Sequence, residues 1–142
     1  MSEAVCETTF EARAENLPAI MDFIIDAMKN MGVGEEDSFK VQLAVDEAAT
    51  NIINYAYDGH AGPIWIRCTL KGDDVYVVLM DTGAAFDPTG SPEPDVTSGI
   101  EDRKVGGLGI YFIREMMDAV RYERSGGKNT LILVKHLSRG SK

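Results

Sequence analysis

The chain has 142 residues, 44% of them apolar, which suits one domain over 1–142 with a sizeable core. A formal charge of −9 excludes nucleic acid or an anionic membrane as a partner held by overall charge, and no apolar run approaches the roughly 20 residues of a membrane span. A soluble cytoplasmic protein is expected, with Cys6 and Cys68, which lack metal-ligand spacing, as reduced core thiols.

Residues 3–11 alternate loosely and predict a first strand. From Leu17 to Met31, Ile20, Met21, Ile24, Ala27, Met28 and Met31 recur at helical spacing, with Asn16 and Pro18 as start signals and Gly32 as a stop. Its methionines serve either core packing or a homodimer contact. A second helix, capped by Asp37 or Ser38, runs through Val41–Asp58. There Leu43, Ala44, Ala48, Ile52 and Tyr55 form the apolar side, and Glu47, Asn51 and Asn54 stack on the other. That polar stripe is either a solvated face or a place where a carboxylate and two amides converge on a ligand. Strands at 64–70 and 75–80 flank the hairpin turn at Lys71, and the second ends in Asp81 just before Gly83.

Residues 86–105, rich in Pro, Gly, Ser and acids, predict a lid. A third helix follows Gly107 to about Ala119, with Leu108, Tyr111, Phe112 and Met116 on its buried side. Strands at 120–124 and 130–136 close the chain as a hairpin. Such an order places helices on one face of a largely antiparallel sheet, an α+β two-layer sandwich. Gly106, Gly107 and Gly109 at a helix start leave backbone N–H groups open to phosphates, although one glycine cluster is equally a flexible turn. His60 and His136 lack a Ser or Cys partner and read as surface groups.

Three ordered segments carry a stronger signal: Glu47-x-x-x-Asn51 with Ala56-Tyr57; Asp81-x-Gly83-x-x-Phe86-Asp87-Pro88; and Gly106-Gly107-x-Gly109 running into Phe112-Ile113-Arg114 and Met117-Asp118. Together they resemble the N, G1 and G2 boxes of the GHKL ATPase and kinase superfamily, and within it the bacterial anti-sigma-factor serine kinases. The resemblance implies an ATP-binding sandwich of that type, with a mixed, mostly antiparallel sheet and an ATP lid. It implies ATP and Mg²⁺, with Asn51 as the metal ligand and Glu47 as general base. Asp81 would accept from the adenine N6 amine, and Thr130 on the last hairpin would reach the base. Nucleotide contacts are expected from Asn54, Gly83, Ala85, Gly106, Gly107, Leu108 and Gly109 as well.

The family's activity implies transfer to a small STAS-domain anti-anti-sigma protein and sequestration of a sigma factor or similar regulator. Departures from the pattern are Asn54 where a basic residue is frequent, Tyr55 for a histidine, and Ala85 for a glycine. Arg103, Lys104 or Arg114 could supply the missing positive charge. Two other functions fit the same residues: a nucleotide-gated binding module without transfer to protein, and a detached ATP-binding domain of a histidine kinase.

Overall fold

The structure is a computed structural model that describes residues 4–85 and 107–138, with residues 107–111 described by backbone alone. The lid expected at 86–105, with Phe86, Asp87, Pro88, Arg103 and Lys104, lies outside the described residues, as does Gly106. The elements are β1 (Ala4–Glu11), a 3₁₀ turn (Ala14–Asn16), α1 (Leu17–Asn30), α2 (Glu35–Asn51) continuing into a π-helical turn (Ile52–Ala56), β2 (Pro63–Lys71), β3 (Asp74–Asp81), α3 (Gly107–Met116), β4 (Ala119–Ser125) and β5 (Lys128–His136).

The strands form one sheet in the order β1-β2-β3-β5-β4. Every pairing in it is antiparallel, so the parallel component that the resemblance allowed is missing among the described strands. Two tight hairpins set this register. Gly72 (φ 60°) turns β2 into β3, while Gly126 (φ 60°) and Gly127 (φ 75°) turn β4 into β5; left-handed φ values at two-residue turns match the twist of the strands. Alternation then sorts the side chains. Ile64, Ile66 and Cys68 of β2, Val75, Val77 and Leu79 of β3, and Leu131 and Leu133 of β5 are buried on one face, against the helices.

Cys6 and Cys68 stand opposite each other in register and are unbonded; burial pushes the Cys68 thiol up to about 12. Helix α1 buries Ile20, Ile24, Ala27 and Met28, with Met31 following it into the core. Met28 and Met31 are therefore core residues.

Helix α2 departs from the sequence expectation in three ways. It begins at Glu35 behind Gly34, not at a cap from Asp37 or Ser38. Its first turn carries Glu35, Glu36 and Asp37, charges that favour a helix N-terminus. Asp37 is buried there, where Oδ2 accepts from the Ser138 backbone N–H at 2.7 Å. The core face is made by Val41, Ala44, Val45, Ala48 and Ala49, whereas Leu43, expected inside, is 39% exposed on the side of Glu47. Finally, the last turn widens: the Tyr57 N–H reaches back to the Ile52 carbonyl, and Asp58 (φ 52°) and Gly59 (φ 83°) end the helix.

In α3 the expected buried Phe112 is 50% exposed, and Ile113 takes the core position. The helix stops at Met116, where the buried Lys135 of β5 caps it, Nζ donating to the Met116 carbonyl at 3.1 Å beside Asp118. No helix among the described residues is long and apolar enough to cross a membrane.

Candidate nucleotide site

The end of α2, the end of β3 and the β4–β5 hairpin meet around a small cavity. Its wall is mostly apolar, from Ala48, Ile52, Ala56, Ile113 and Leu131, with Asn51, Asp81, Tyr122 and Asn129 as its polar groups. Apolar walls with a few fixed polar atoms are what a flat heteroaromatic ligand requires.

Asp81 is 2% exposed and is held from several sides. Its Oδ1 accepts from the Gly83 N–H at 2.9 Å and from Asn129 Nδ2 at 2.8 Å. Burial lifts its carboxyl above the ordinary value, opposed by those two hydrogen bonds and by the charge of Arg124. Both bonds use Oδ1, which leaves Oδ2 to accept from a ligand.

Backbone packing sets the approach. The Ala84 N–H donates to the Ala56 carbonyl at 2.7 Å. A Cβ added at Gly83 would stand 2.4 Å from that same oxygen and 2.6 Å from its carbon. The Tyr57 hydroxyl donates to the Pro63 carbonyl at 2.6 Å and accepts from the Thr82 N–H at 2.9 Å, tying the helix end to both strands. The glycine at 83 is thus a packing requirement, and so is the Ala56-Tyr57 pair. Gly83→Ala is expected to cost about 1–3 kcal/mol of overpacking. Thermal unfolding should show a lowered midpoint, and calorimetry a weakened response to ATP.

Asn51 is buried, and its Nδ2 has no hydrogen-bond partner among the described residues. A buried amide left so costs on the order of 1–3 kcal/mol, which a fold tolerates where a ligand supplies the missing contact. One turn earlier, Glu47 is half-buried. Burial, with the Asp46 charge adding to it, raises its carboxyl above the ordinary range, toward that of a working base. Among the described residues no three His, Cys, Asp or Glu side chains gather as a metal site. A Mg²⁺ ion needs none, since it takes one or two protein oxygens and completes its shell with water and phosphate. The side-chain oxygen of Asn51 beside this apolar cavity fits that pattern, while its unbonded Nδ2, a donor, suits a phosphate oxygen rather than the ion.

The model of the histidine kinase-like ATPase domain family matches residues 10–135. The chain belongs to that family. Within it, the chain is 34% identical to the serine/threonine-protein kinase BtrW of Bordetella bronchiseptica over 99 residues, 69% of this chain and 70% of that protein. It is 29% identical to the serine-protein kinase RsbW of Halalkalibacterium halodurans over 137 residues, 94% of this chain and 83% of that one. Among solved structures, the RsbU and RsbW domains of a Mycobacterium tuberculosis protein superpose with a TM-score of 0.69 at 18% identity, covering 98% of this chain and 34% of that chain. The fold and the family expected from the three motifs are therefore found.

Within this family fold, the expected site residues divide. Asn51 and Asp81 line the cavity, and Gly83 packs on its edge. Glu47 stands one turn along the same helix from Asn51. Gly107, Leu108 and Gly109 form the first turn of α3, the helix that brings Ile113 to the wall.

Asn54 is exposed, because the π-helical turn breaks the α-helical spacing that would have stacked it on Asn51. Ala85 is exposed and absent from the cavity wall.

Thr130 pairs with Met80 on the outer face of the sheet, while Asn129 pairs with Asp81 on the inner one. The alternation inward from Leu133 and Leu131 to 129 was the available signal. Tyr122 and Arg124, also missed, follow from the register of β4 on β5, which sets them on the same inner face.

Proposed function

We propose that this chain is an ATP-dependent serine/threonine protein kinase that phosphorylates a STAS-domain anti-anti-sigma protein and holds a sigma factor or similar regulator in alternation with it. The serine/threonine kinase class follows from relatives of that name matching over most of the chain. The observation that carries the site is that the buried carboxylate of Asp81 and the Asn51 amide, whose NH₂ is unpartnered, line one cavity. Asp81 Oδ2 accepts from the adenine 6-amino group, a donor that guanine lacks at that position. The side-chain oxygen of Asn51 would hold Mg²⁺, and the ion would supply positive charge to neutralise the phosphates. Backbone N–H groups at the start of α3, from Gly107 to Gly109, face the phosphates.

Glu47 takes the proton from the partner's serine hydroxyl as its oxygen attacks the γ-phosphorus. The bond to the β,γ-bridging oxygen breaks, and ADP leaves. A carboxyl held above its usual range is suited to this work, because it accepts a proton near neutral pH more readily than an ordinary glutamate. The whole chain acts as one domain, with no catalytic part for His60 or His136: the His60 ring bonds its own turn at the Tyr57 carbonyl, and His136 pairs with Asp74 at the surface.

Incubation with γ-labelled ATP, Mg²⁺ and a STAS-domain protein of the same organism tests this reading. Acid-stable label on a serine of the partner is expected. Label on a histidine, lost in acid, or no label at all, would overturn it.

A further inference from the structure

Asn129 uses every hydrogen-bonding position that a primary amide has. Its Nδ2 donates to Asp81 Oδ1 at 2.8 Å and to the Ala84 carbonyl at 2.9 Å. Its Oδ1 accepts from Arg124 Nη1 at 2.9 Å and from the Tyr122 hydroxyl. Arg124 also donates to the Gly83 carbonyl at 2.9 Å, so β4 and β5 together grip the turn after β3. Asn129 is 4% exposed.

Two consequences follow from that set of partners. The amide has no hydrogen left for a ligand, so it does not read a base itself. Its orientation is also single: rotated by half a turn, its oxygen would face a carboxylate and a carbonyl while its NH₂ faced a guanidinium. The NH₂ is therefore always turned to Asp81. Two donors, Asn129 Nδ2 and the Gly83 N–H, then occupy Oδ1 and favour the carboxylate over the acid.

We infer that Asn129 is a positioning residue for purine selection: by keeping Asp81 acceptor-only, it makes the cavity take a 6-amino purine and refuse a 6-oxo purine. The inference rests on the reading of Asp81 as the group that meets adenine. An acceptor opposite a carbonyl leaves both unpaired in a dry cavity, and mismatches of this kind discriminate strongly. Asn129→Asp would remove the selection. The second carboxyl takes away the Nδ2 donor and adds like charge at hydrogen-bond distance, so Asp81 takes up a proton more readily, and a proton carried on Oδ2 donates to a 6-oxo group.

The probes are ATP and inosine triphosphate, which differ at purine position 6 (amine against carbonyl) and the adjoining N1 proton. By calorimetry the parent is expected to prefer ATP by about tenfold or more, the worth of one charged hydrogen bond, and Asn129→Asp to bring the two nucleotides within about threefold. The double variant Tyr122→Phe/Arg124→Gln, which frees the amide to rotate, should narrow the preference too, and it decides the matter if Asn129→Asp gives no cooperative melt. A parent-like ratio in the variant that folds overturns the inference while Asp81→Asn still abolishes the preference. A parent that binds neither nucleotide, or an Asp81→Asn variant with an unchanged ratio, overturns the adenine reading itself.

Discussion

Glu47→Gln should lower the rate of phosphoryl transfer to the partner by about 10²–10⁴-fold, the usual worth of a positioned general base, while calorimetric ATP affinity stays near that of the parent. The separation follows from position. Glu47 stands one turn before Asn51 and does not line the cavity, so its removal leaves the base-binding wall intact. A base works only when deprotonated, and burial together with the Asp46 charge holds the Glu47 carboxyl above its ordinary value. The rising limb of kcat/KM against pH should therefore lie above the ordinary glutamate range. Asp46→Asn, which removes the second cause, should move that limb toward lower pH. A limb unaffected by either substitution would assign it to another group.

Asp81→Asn should weaken ATP binding by roughly tenfold to a hundredfold or more, the worth of one hydrogen bond to a charged acceptor, and yet leave the protein no less stable at pH 7. The new amide keeps an oxygen for the Gly83 and Asn129 donors but turns an NH₂ toward the adenine amine. The sign of the stability effect comes from the raised carboxyl. An acid whose folded value exceeds its unfolded one contributes stability that is complete below the unfolded value, 3.8, and is lost as pH rises through the folded value. At pH 7 the parent carries a buried carboxylate whose desolvation outweighs its three favourable contacts; the variant does not. Thermal unfolding midpoints at pH 7 should be equal or higher in the variant, with the difference shrinking below pH 3.8. A variant much less stable at pH 7 would show that Asp81 holds the fold together rather than the nucleotide.

The elements that local chemistry specifies were legible in the residues. Pro18 and Gly32 bracket α1, Gly72 turns β2 into β3, and the alternation through β3 delivers Asp81 at its end. Legibility failed where a distant contact or a subtle change of pitch decides. Asp37 resembled a helix cap, but its partner is Ser138, 101 residues away, and no local pattern announces that bond. Asn54 belongs to the polar stripe only if the helix keeps its α pitch, and the π turn at 52–56 removes it.

Motif analogy points to Thr130, whereas strand parity points to Asn129. A slip of one residue moves a side chain across the sheet, and Asn129 lies on the inner side. Phe112 is large and apolar and so reads as core, yet Ile113 is the residue turned inward. What the sequence conveys least is the amide–carboxylate network, since each member reads alone as an ordinary strand residue.

The tight approach of Gly83 to Ala56 joins main chain to main chain. No trimming of a side chain can make room there, so a bulkier residue at 83 has no compensating substitution at 56; relief must come from shifting a whole segment. Directed evolution for altered nucleotide preference should accordingly leave position 83 untouched and accumulate its changes on β4 and β5, where the partners of Asp81 are side chains and can be exchanged.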